Sequence, residues 1–84
     1  MVTDFAIRNE EVEVGDGATV RDVIESLALK HPRFKDYLVD SRTGQFQYGI
    51  LVALNQKDVR GLKGLDTEVH EADSITFYPP ISGG

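Results

Sequence analysis

One amphipathic helix constrains the fold of this chain more than any other feature. Apolar residues recur at the i, i+3, i+4 and i+7 positions of a helical stripe: Val20, Val23, Ile24 and Leu27. Thr19 precedes the stripe as an N-cap, and Asp22 follows three residues later as in a capping box. Lys30 and His31 suit the negative end of the helix dipole, and Pro32 stops the helix. The pattern predicts a helix that begins after Thr19 and ends before Pro32.

Four apolar residues ahead of this helix predict a hairpin. Phe5 and Ile7 share one face of a first strand, and Val12 and Val14 share one face of a second. The polar residues 8–11 are the predicted turn between the two strands.

The second half of the chain alternates turns with short strands. Residues 34–38 predict a turn-rich segment that tucks aromatic groups against the sheet. The nearly apolar run 50–54 predicts a strand covered for much of its length. Asn55-Gln56 predicts a tight turn because Asn tolerates positive φ, and residues 57–59 predict a brief returning strand. The last predicted strand covers residues 74–78, before a pair of prolines.

This order of elements predicts an α+β fold. One helix cannot cover both faces of a sheet, so the expected architecture is a roll with a mixed sheet and the main helix packed across one face. A chain of 84 residues has no room for a second core. We therefore expect a single domain over residues 1–78 and a flexible tail over residues 79–84.

Composition argues against several classes of function. The chain has no cysteine, which removes disulfides, thiolate metal sites and thiol nucleophiles. Its net charge of −5 argues against nucleic acid and favours solubility or a basic protein partner. No apolar run approaches the ~20 residues of a membrane span, and no signal-peptide pattern opens the chain, so we expect a cytoplasmic protein without a membrane partner. His31 and His70 lack ligand spacing, so no metal site is predicted.

The sequence ends on Gly83-Gly84, and these two residues are a candidate chemical site. They place no side chain near the terminal carboxylate, and glycine backbone adopts conformations closed to other residues. An enzyme with a narrow channel could reach that carboxylate, activate it and exchange one oxygen for another atom. The alternative, a chemically inert end, stays open on this evidence alone.

Several stretches together resemble a known family. They are residues 51–55, 58–60 and 64–67, with Asp73, the helix start 18–22 and the ending Phe77-Tyr78-Pro79-Pro80-Ile81-Ser82-Gly83-Gly84. They resemble the MoaD/ThiS family of ubiquitin-like sulfur carrier proteins, and the ending resembles the small-subunit type of molybdopterin synthase. This chain has Asn55-Gln56 where the family commonly has Asn-Gly, and Ala72-Asp73 where the family commonly has Gly-Asp. Both differences lie in predicted turns. The resemblance implies the β-grasp fold of ubiquitin, with the last strand beside the first.

The resemblance also implies a carrier protein and not an enzyme. An adenylating enzyme uses ATP to activate the Gly84 carboxylate, and sulfur from a persulfide donor protein then displaces AMP and leaves a thiocarboxylate. The remaining tail residues, Pro79, Pro80, Ile81, Ser82 and Gly83, would be recognised by these partners. The chain itself binds no cofactor. The implied acceptor is the large subunit of molybdopterin synthase or another sulfur acceptor.

Other functions remain open at this stage. A ubiquitin-like modifier would use the same tail to join Gly84 to target lysines, and a sulfur carrier could instead serve thiamin, cysteine, methionine or tRNA thiolation. A plain β-grasp interaction module with an inert tail is the third alternative.

Apolar and aromatic side chains near the sheet are candidates for a partner interface, since aromatic residues often dominate binding energy. The predicted set is Phe46, Tyr48, Leu62, Leu65, Phe77 and Tyr78. The alternative that most of them belong to the core is not excluded by the sequence.

Overall fold

The computed structural model of this chain describes residues 1–5 and 8–78, with the backbone alone at Arg8. The elements within these ranges are β1 (Val2–Phe5), β2 (Arg8–Glu11), α1 (Val20–Lys30), α2 (Pro32–Leu38), β3 (Leu51–Leu54), β4 (Lys57–Asp58) and β5 (Ser74–Tyr78). Two short 3₁₀ turns, Val59–Gly61 and Gly64–Asp66, lie between β4 and β5. None of the helices described is long and apolar enough to cross a membrane.

The strands form one mixed sheet in the order β2-β1-β5-β3-β4. β1 and β5 run parallel, from Val2 opposite Ser74 to Phe5 opposite Phe77. The other neighbouring pairs are antiparallel. The last strand therefore lies in the middle of the sheet beside the first, which confirms the pairing order that the family resemblance implied.

The helix α1 forms as its sequence predicts. The Thr19 N–H donates to Asp22 Oδ2 at 2.9 Å, and the Asp22 N–H donates to Thr19 Oγ1 at 3.4 Å, so both halves of the capping box are present. The residues of the apolar stripe, from Val20 to Leu27, are at most 2% exposed. Each of these buried side chains stabilises the fold by about 2 kcal/mol, which fixes α1 across one face of the sheet.

Residues 32–38 form a helix where we expected a turn-rich segment. Pro32 ends α1, as predicted, but it also begins α2, because proline has no N–H to leave unpaired at a first helical position. The Phe34 ring centroid lies 4.8 Å from that of Phe5 and 5.2 Å from that of Phe77. Tyr37 is exposed, so only part of the predicted aromatic packing exists.

The first hairpin is antiparallel as expected, but its second strand was wrongly placed. Residues 8–11, predicted as the turn, form β2, with Phe5 opposite Arg8 and Val2 opposite Glu11. Ile7 lies outside the described residues. β2 is an edge strand, and charged side chains are favoured there because they discourage pairing with other molecules. The polar composition of residues 8–11 therefore suits a strand at this position.

The remaining strands follow the predictions closely. β3 and β5 form over the expected runs, and β4 is one residue shorter because Val59 already belongs to the first 3₁₀ turn. Asn55 and Gln56 join β3 to β4 with φ of 50° and 72°. The Asn55 side chain also accepts from the Ser74 N–H at 2.9 Å and donates to Asp73 Oδ1 at 2.9 Å, which ties this turn to the start of β5.

Candidate functional site

The reactive tail predicted over residues 79–84 lies outside the described residues. The roles assigned to Gly84 and to the five residues before it therefore stay predictions. The structure does describe the strand that leads to them, β5, as far as Tyr78.

β5 holds Tyr78, the last described residue before the predicted tail, in a fixed position. It is hydrogen-bonded to β1 on one edge and to β3 on the other. Its inward side chains, Ile75 and Phe77, are 0% and 3% exposed, and the Phe77 ring meets the edge of Phe34. Because the strand is paired on both edges and packed into the core, Tyr78 has a defined place on the body of the protein.

Several segments of the fold meet at the end of the sheet where β5 finishes. Leu51, the first residue of β3, lies opposite Tyr78, and the loop before Leu51 reaches this end too. β4 runs antiparallel to β3, so the chain after β4 returns toward the same end. There the Arg60 guanidinium lies 5.6 Å from the Phe46 ring centroid. We define the tail-root surface as Phe46, Tyr48, Leu51, Arg60 and Tyr78.

The tail-root surface combines exposed aromatic and apolar groups. Tyr48 is 100% exposed, Tyr78 48% and Leu51 37%, while Phe46 is partly buried against the core. Aromatic residues and arginine are the types enriched at protein interfaces. This end of the sheet is therefore suited to docking a partner beside residues 79–84.

The loop that carries Phe46 is held by its own backbone. Val39 and Phe46 form an isolated β-bridge, and the Asp40 N–H donates to the Gln45 carbonyl at 2.8 Å. Gly44 turns the loop at a φ of 73°, and its N–H donates to the Asp40 carbonyl at 2.7 Å. The Arg42 backbone N–H, and then its guanidinium, hold the pKa of Asp40 below its ordinary value. These bonds give the loop a defined shape from which Phe46 and Arg42 project.

An open depression of about 870 Å³ lies at this loop. Its lining residues are Asp40, Arg42, Phe46, Gln47, Tyr48, Gly49 and Arg60. The depression is wide and open to solvent, which suits several side chains of a partner protein better than one enclosed small molecule. Among residues 1–5 and 8–78, no three His, Cys, Asp or Glu side chains are grouped to hold a metal ion.

Two of the six predicted interface residues belong to the core. Leu65 in the second 3₁₀ turn is 6% exposed and packs into the main apolar cluster. Phe77 is 3% exposed because alternate side chains of β5 point toward the helices. Both are corrected from the partner interface to the core, where they support the position of their neighbours.

The other four predicted interface residues remain accessible to differing degrees. Tyr48 and Tyr78 are exposed at the tail-root surface, and Phe46 is partly buried beside them. Leu62 is 47% exposed but lies just beyond the first 3₁₀ turn. Their contact with a partner stays a prediction.

Sequence reasoning missed two members of the tail-root surface. Leu51 was grouped with a covered apolar run, although alternation from the inward-facing Val52 places it outward. Arg60 carries no sequence signal of its own, since its position over Phe46 depends on two loops that are distant in the sequence.

The strand order, the parallel pairing of β1 with β5 and the helix across one face define a ubiquitin-like β-grasp domain. Comparison with known proteins identifies the family within this class. The model of the ThiS family matches residues 2–84, and the chain belongs to that family. The match continues through residues 79–84. The proteins of this MoaD/ThiS family are small non-catalytic carriers.

The proteins of similar sequence include one named as a modifier and others named as sulfur carriers. The chain is 31% identical to small archaeal modifier protein 3 of Haloferax volcanii over 71 residues, which are 84% of this chain and 75% of that protein. It is 32% identical to the sulfur carrier protein CysO of Mycobacterium tuberculosis over 69 residues, 81% of this chain and 74% of that one. The molybdopterin synthase sulfur carrier subunit of M. tuberculosis is 29% identical over 89% of this chain and 75% of its own length.

Solved structures support the same fold. SAMP1 from Haloferax volcanii superposes with a TM-score of 0.82 at 23% identity, covering 99% of this chain and 97% of that one. The structure of the Amycolatopsis orientalis BexX/CysO complex contains a chain that matches with a TM-score of 0.79 at 28% identity. That match covers 98% of this chain and 99% of the other. These similarities confirm the β-grasp fold predicted from the sequence.

Proposed function

We propose that this protein carries sulfur as a thiocarboxylate on Gly84. The observation that carries the proposal is the family match, which includes the final Gly-Gly together with the fold that precedes it. The exposed aromatic surface beside Tyr78 supports it, because a partner that receives the tail would also contact this surface.

The proposed reaction has three chemical steps. An oxygen of the Gly84 carboxylate attacks the α-phosphorus of ATP on an adenylating enzyme, and pyrophosphate leaves. The terminal sulfur of a persulfide donor then attacks the acyl carbon and AMP leaves. A thiol finally attacks the donor's inner sulfur and breaks the S–S bond that came from the persulfide, so a disulfide forms with the donor and the thiocarboxylate is left on Gly84. Every thiol in this scheme belongs to partners, because the chain has no cysteine.

The proposed acceptor is a molybdopterin precursor in the large subunit of molybdopterin synthase. The 29% identity to a molybdopterin synthase sulfur carrier subunit supports this pathway. The 32% identity to the CysO sulfur carrier supports another sulfur acceptor, and thiamin, methionine and tRNA thiolation are the remaining routes. Since activation consumes ATP, the proposal places the protein in the cytoplasm.

A second candidate function is protein modification through Gly84. The 31% identity to small archaeal modifier protein 3 favours it over an inert interaction module. In this reaction the amine of a target lysine, in place of sulfur, attacks the activated acyl carbon and forms an isopeptide bond. Activation is the same in both functions, and the nucleophile that attacks the acyl carbon differs.

Mass spectrometry of the protein purified from its native host separates these functions. A carrier gives an intact chain with one oxygen replaced by sulfur, and a modifier gives Gly-Gly remnants on lysines of other proteins. Neither product should form when Gly84 is deleted, whereas the control variant Asp16→Asn, which changes an exposed side chain outside the tail, should still form the product. A chain without Gly84 that still accepts AMP from ATP would refute the proposal. Complex formation with the large synthase subunit, followed by conversion of the pterin precursor, would assign the molybdopterin pathway.

A further inference from the structure

The charge of this protein is divided unevenly between two parts of the chain. Residues 41–65 contain four basic side chains and one carboxylate, a net charge of +3. The whole chain has a net charge of −5, so the residues outside this segment carry a net charge of −8. The segment 41–65 includes β3, β4 and the loop with Phe46, so the basic part of the protein borders the tail-root surface.

Two arginines of this segment face the open depression beside Phe46. Arg60 forms no ion pair with any residue in the ranges 1–5 and 8–78, and its guanidinium lies over the Phe46 ring. Arg42 is 86% exposed and pairs with Asp40, whose Oδ1 and Oδ2 lie 3.4 Å from its Nε and its Nη2. On the two helices, Arg21 pairs with Asp66 at 3.2 Å and Lys35 pairs with Glu25, whereas Lys30 and Arg33 form no ion pair with the described residues. Arg60 is therefore free to bind an anionic group of another molecule.

We propose that Arg42, Phe46, Tyr48 and Arg60 dock an acidic surface of the adenylating enzyme. A guanidinium presents paired N–H donors whose spacing matches a carboxylate, and stacking on an aromatic ring holds that fork in one orientation. The inference rests on the proposed function for the identity of the partner. For this surface we therefore expect an acidic partner, whereas the net charge of the whole chain alone suggested a basic one.

The occupant is a protein surface and not a small anion. The depression is open, measures about 870 Å³ and is lined by two aromatic rings, so it offers apolar contact area around the two cations. Outside residues 41–65 the net charge is −8, which disfavours an acidic partner there, except at residues 30–35, which add three basic side chains and no carboxylate. Docking at this depression brings Tyr78, the residue before the predicted tail, to the partner.

Stopped-flow association with the adenylating enzyme of the source organism tests the proposal. The double variant Arg42→Gln/Arg60→Gln should lower the association rate constant by about tenfold at low salt and flatten its dependence on ionic strength. The matched control Lys30→Gln/Arg33→Gln removes the same charge from exposed positions on the helical side and should change the rate by less than about twofold. Arg60→Lys keeps the charge and should retain most of the rate. Equal rates for the double variant and its control would overturn the proposal.

A second measurement is independent of whether the enzyme activates this chain. The ¹⁵N-labelled full chain is titrated with a hexaglutamate peptide and followed by NMR. Shifts centred on Phe46, Tyr48 and Arg60 that disappear in the double variant support an acid-binding surface, even if Gly84 is never adenylated. Shifts that are absent, or that centre on Lys30 and Arg33, overturn it. Failure of adenylation alone refutes the proposed function and leaves this surface to be judged by the titration.

Discussion

At the scale of single residues, Gln56 has a backbone conformation that glycine adopts more easily. Its φ is 72°, and it follows Asn55 at 50°, so both residues of this two-residue turn are left-handed. Asn tolerates such a conformation, but a long side chain on a Cβ does not favour it. The sequence predicted a tight turn at Asn55-Gln56, and the two positive φ angles confirm it.

The variant Gln56→Gly should therefore stabilise the protein. We expect an increase of about 1 kcal/mol in the free energy of unfolding, measured by urea denaturation, because the left-handed strain disappears. Gln56→Ala is the control: it removes the same polar group but keeps the Cβ, and should give no gain. A Gln56→Gly variant no more stable than Gln56→Ala would contradict this account of the turn.

Asp73 makes the stability of the same region depend on pH. The Asn55 side-chain N–H, and then the backbone N–H of His70 at 2.8 Å, hold the pKa of Asp73 below its ordinary value of 3.8. Because the pKa is lower in the folded state, the stabilisation is complete above pH 3.8 and is lost as the pH falls through the folded-state pKa.

Replacing Asp73 with Asn should remove this part of the acid sensitivity. Urea denaturation between pH 6 and pH 2 should show a shallower loss of stability below about pH 4 than in the original chain. Asp16→Asn is the control, since this exposed carboxylate makes no hydrogen bond among the described residues. Identical pH profiles for Asp73→Asn and the original chain would exclude Asp73 as a source of the effect.

Residue-level burial was predictable from the sequence only where a clear period existed. The stripe from Val20 to Leu27 was assigned to the core correctly. Phe77, near the end of β5, and Leu65, in a 3₁₀ turn, were both assigned to an interface, because the residue type alone does not show whether a side chain faces in or out. Alternation along β5 places Phe77 on the same face as Ile75, and its packing on Phe34 shows that this face is the core.

At the scale of elements, the sequence predicted those that carry their own signals. α1 has a capping box and a four-residue stripe, and β5 has alternation and a proline boundary. β2 was misplaced because residues 8–11 form a polar edge strand, whose pairing with β1 is not encoded in its own composition. α2 was missed because seven residues are too few to show a period. Its stability comes from the buried Leu38 side chain and from the contact of Phe34 with two other rings.

Removing that contact should therefore destabilise the fold through α2. We expect Phe34→Ala to lower the free energy of unfolding by about 2–3 kcal/mol, somewhat less than for a fully buried phenylalanine. Tyr37→Ala, on the exposed side of the same helix, is the control and should cost less than about 1 kcal/mol. Equal losses in the two variants would show that α2 is not held by the aromatic cluster.

At the scale of the whole molecule, the proposed function requires a folded body and a reactive tail. The described pairings of β5 end at Tyr78, and the core residues cited above all precede it. The division into a domain over residues 1–78 and a tail over residues 79–84 is still a prediction. The sequence could predict the chemistry of the tail by family resemblance, but not the basic surface beside it, which forms only when distant loops meet.

A chain ended after Tyr78 should fold as the full chain does. We expect its free energy of unfolding to stay within about 0.5 kcal/mol of the full-length value. Ending the chain after Thr76 is the control, because it also removes the buried ring of Phe77 and should cost at least about 3 kcal/mol. A loss above about 1 kcal/mol on ending after Tyr78 would contradict the proposed division.

The most direct test of the central claim is a reconstituted sulfur transfer to Gly84. The full chain is incubated with its adenylating enzyme, ATP and a persulfide donor, and its C-terminal peptide is analysed by tandem mass spectrometry. The account predicts that one oxygen of Gly84 is replaced by sulfur, that the product requires ATP, and that a chain extended by one alanine beyond Gly84 gives none. An unchanged carboxylate on Gly84 in the complete reaction, with the enzyme shown to be active, would contradict it.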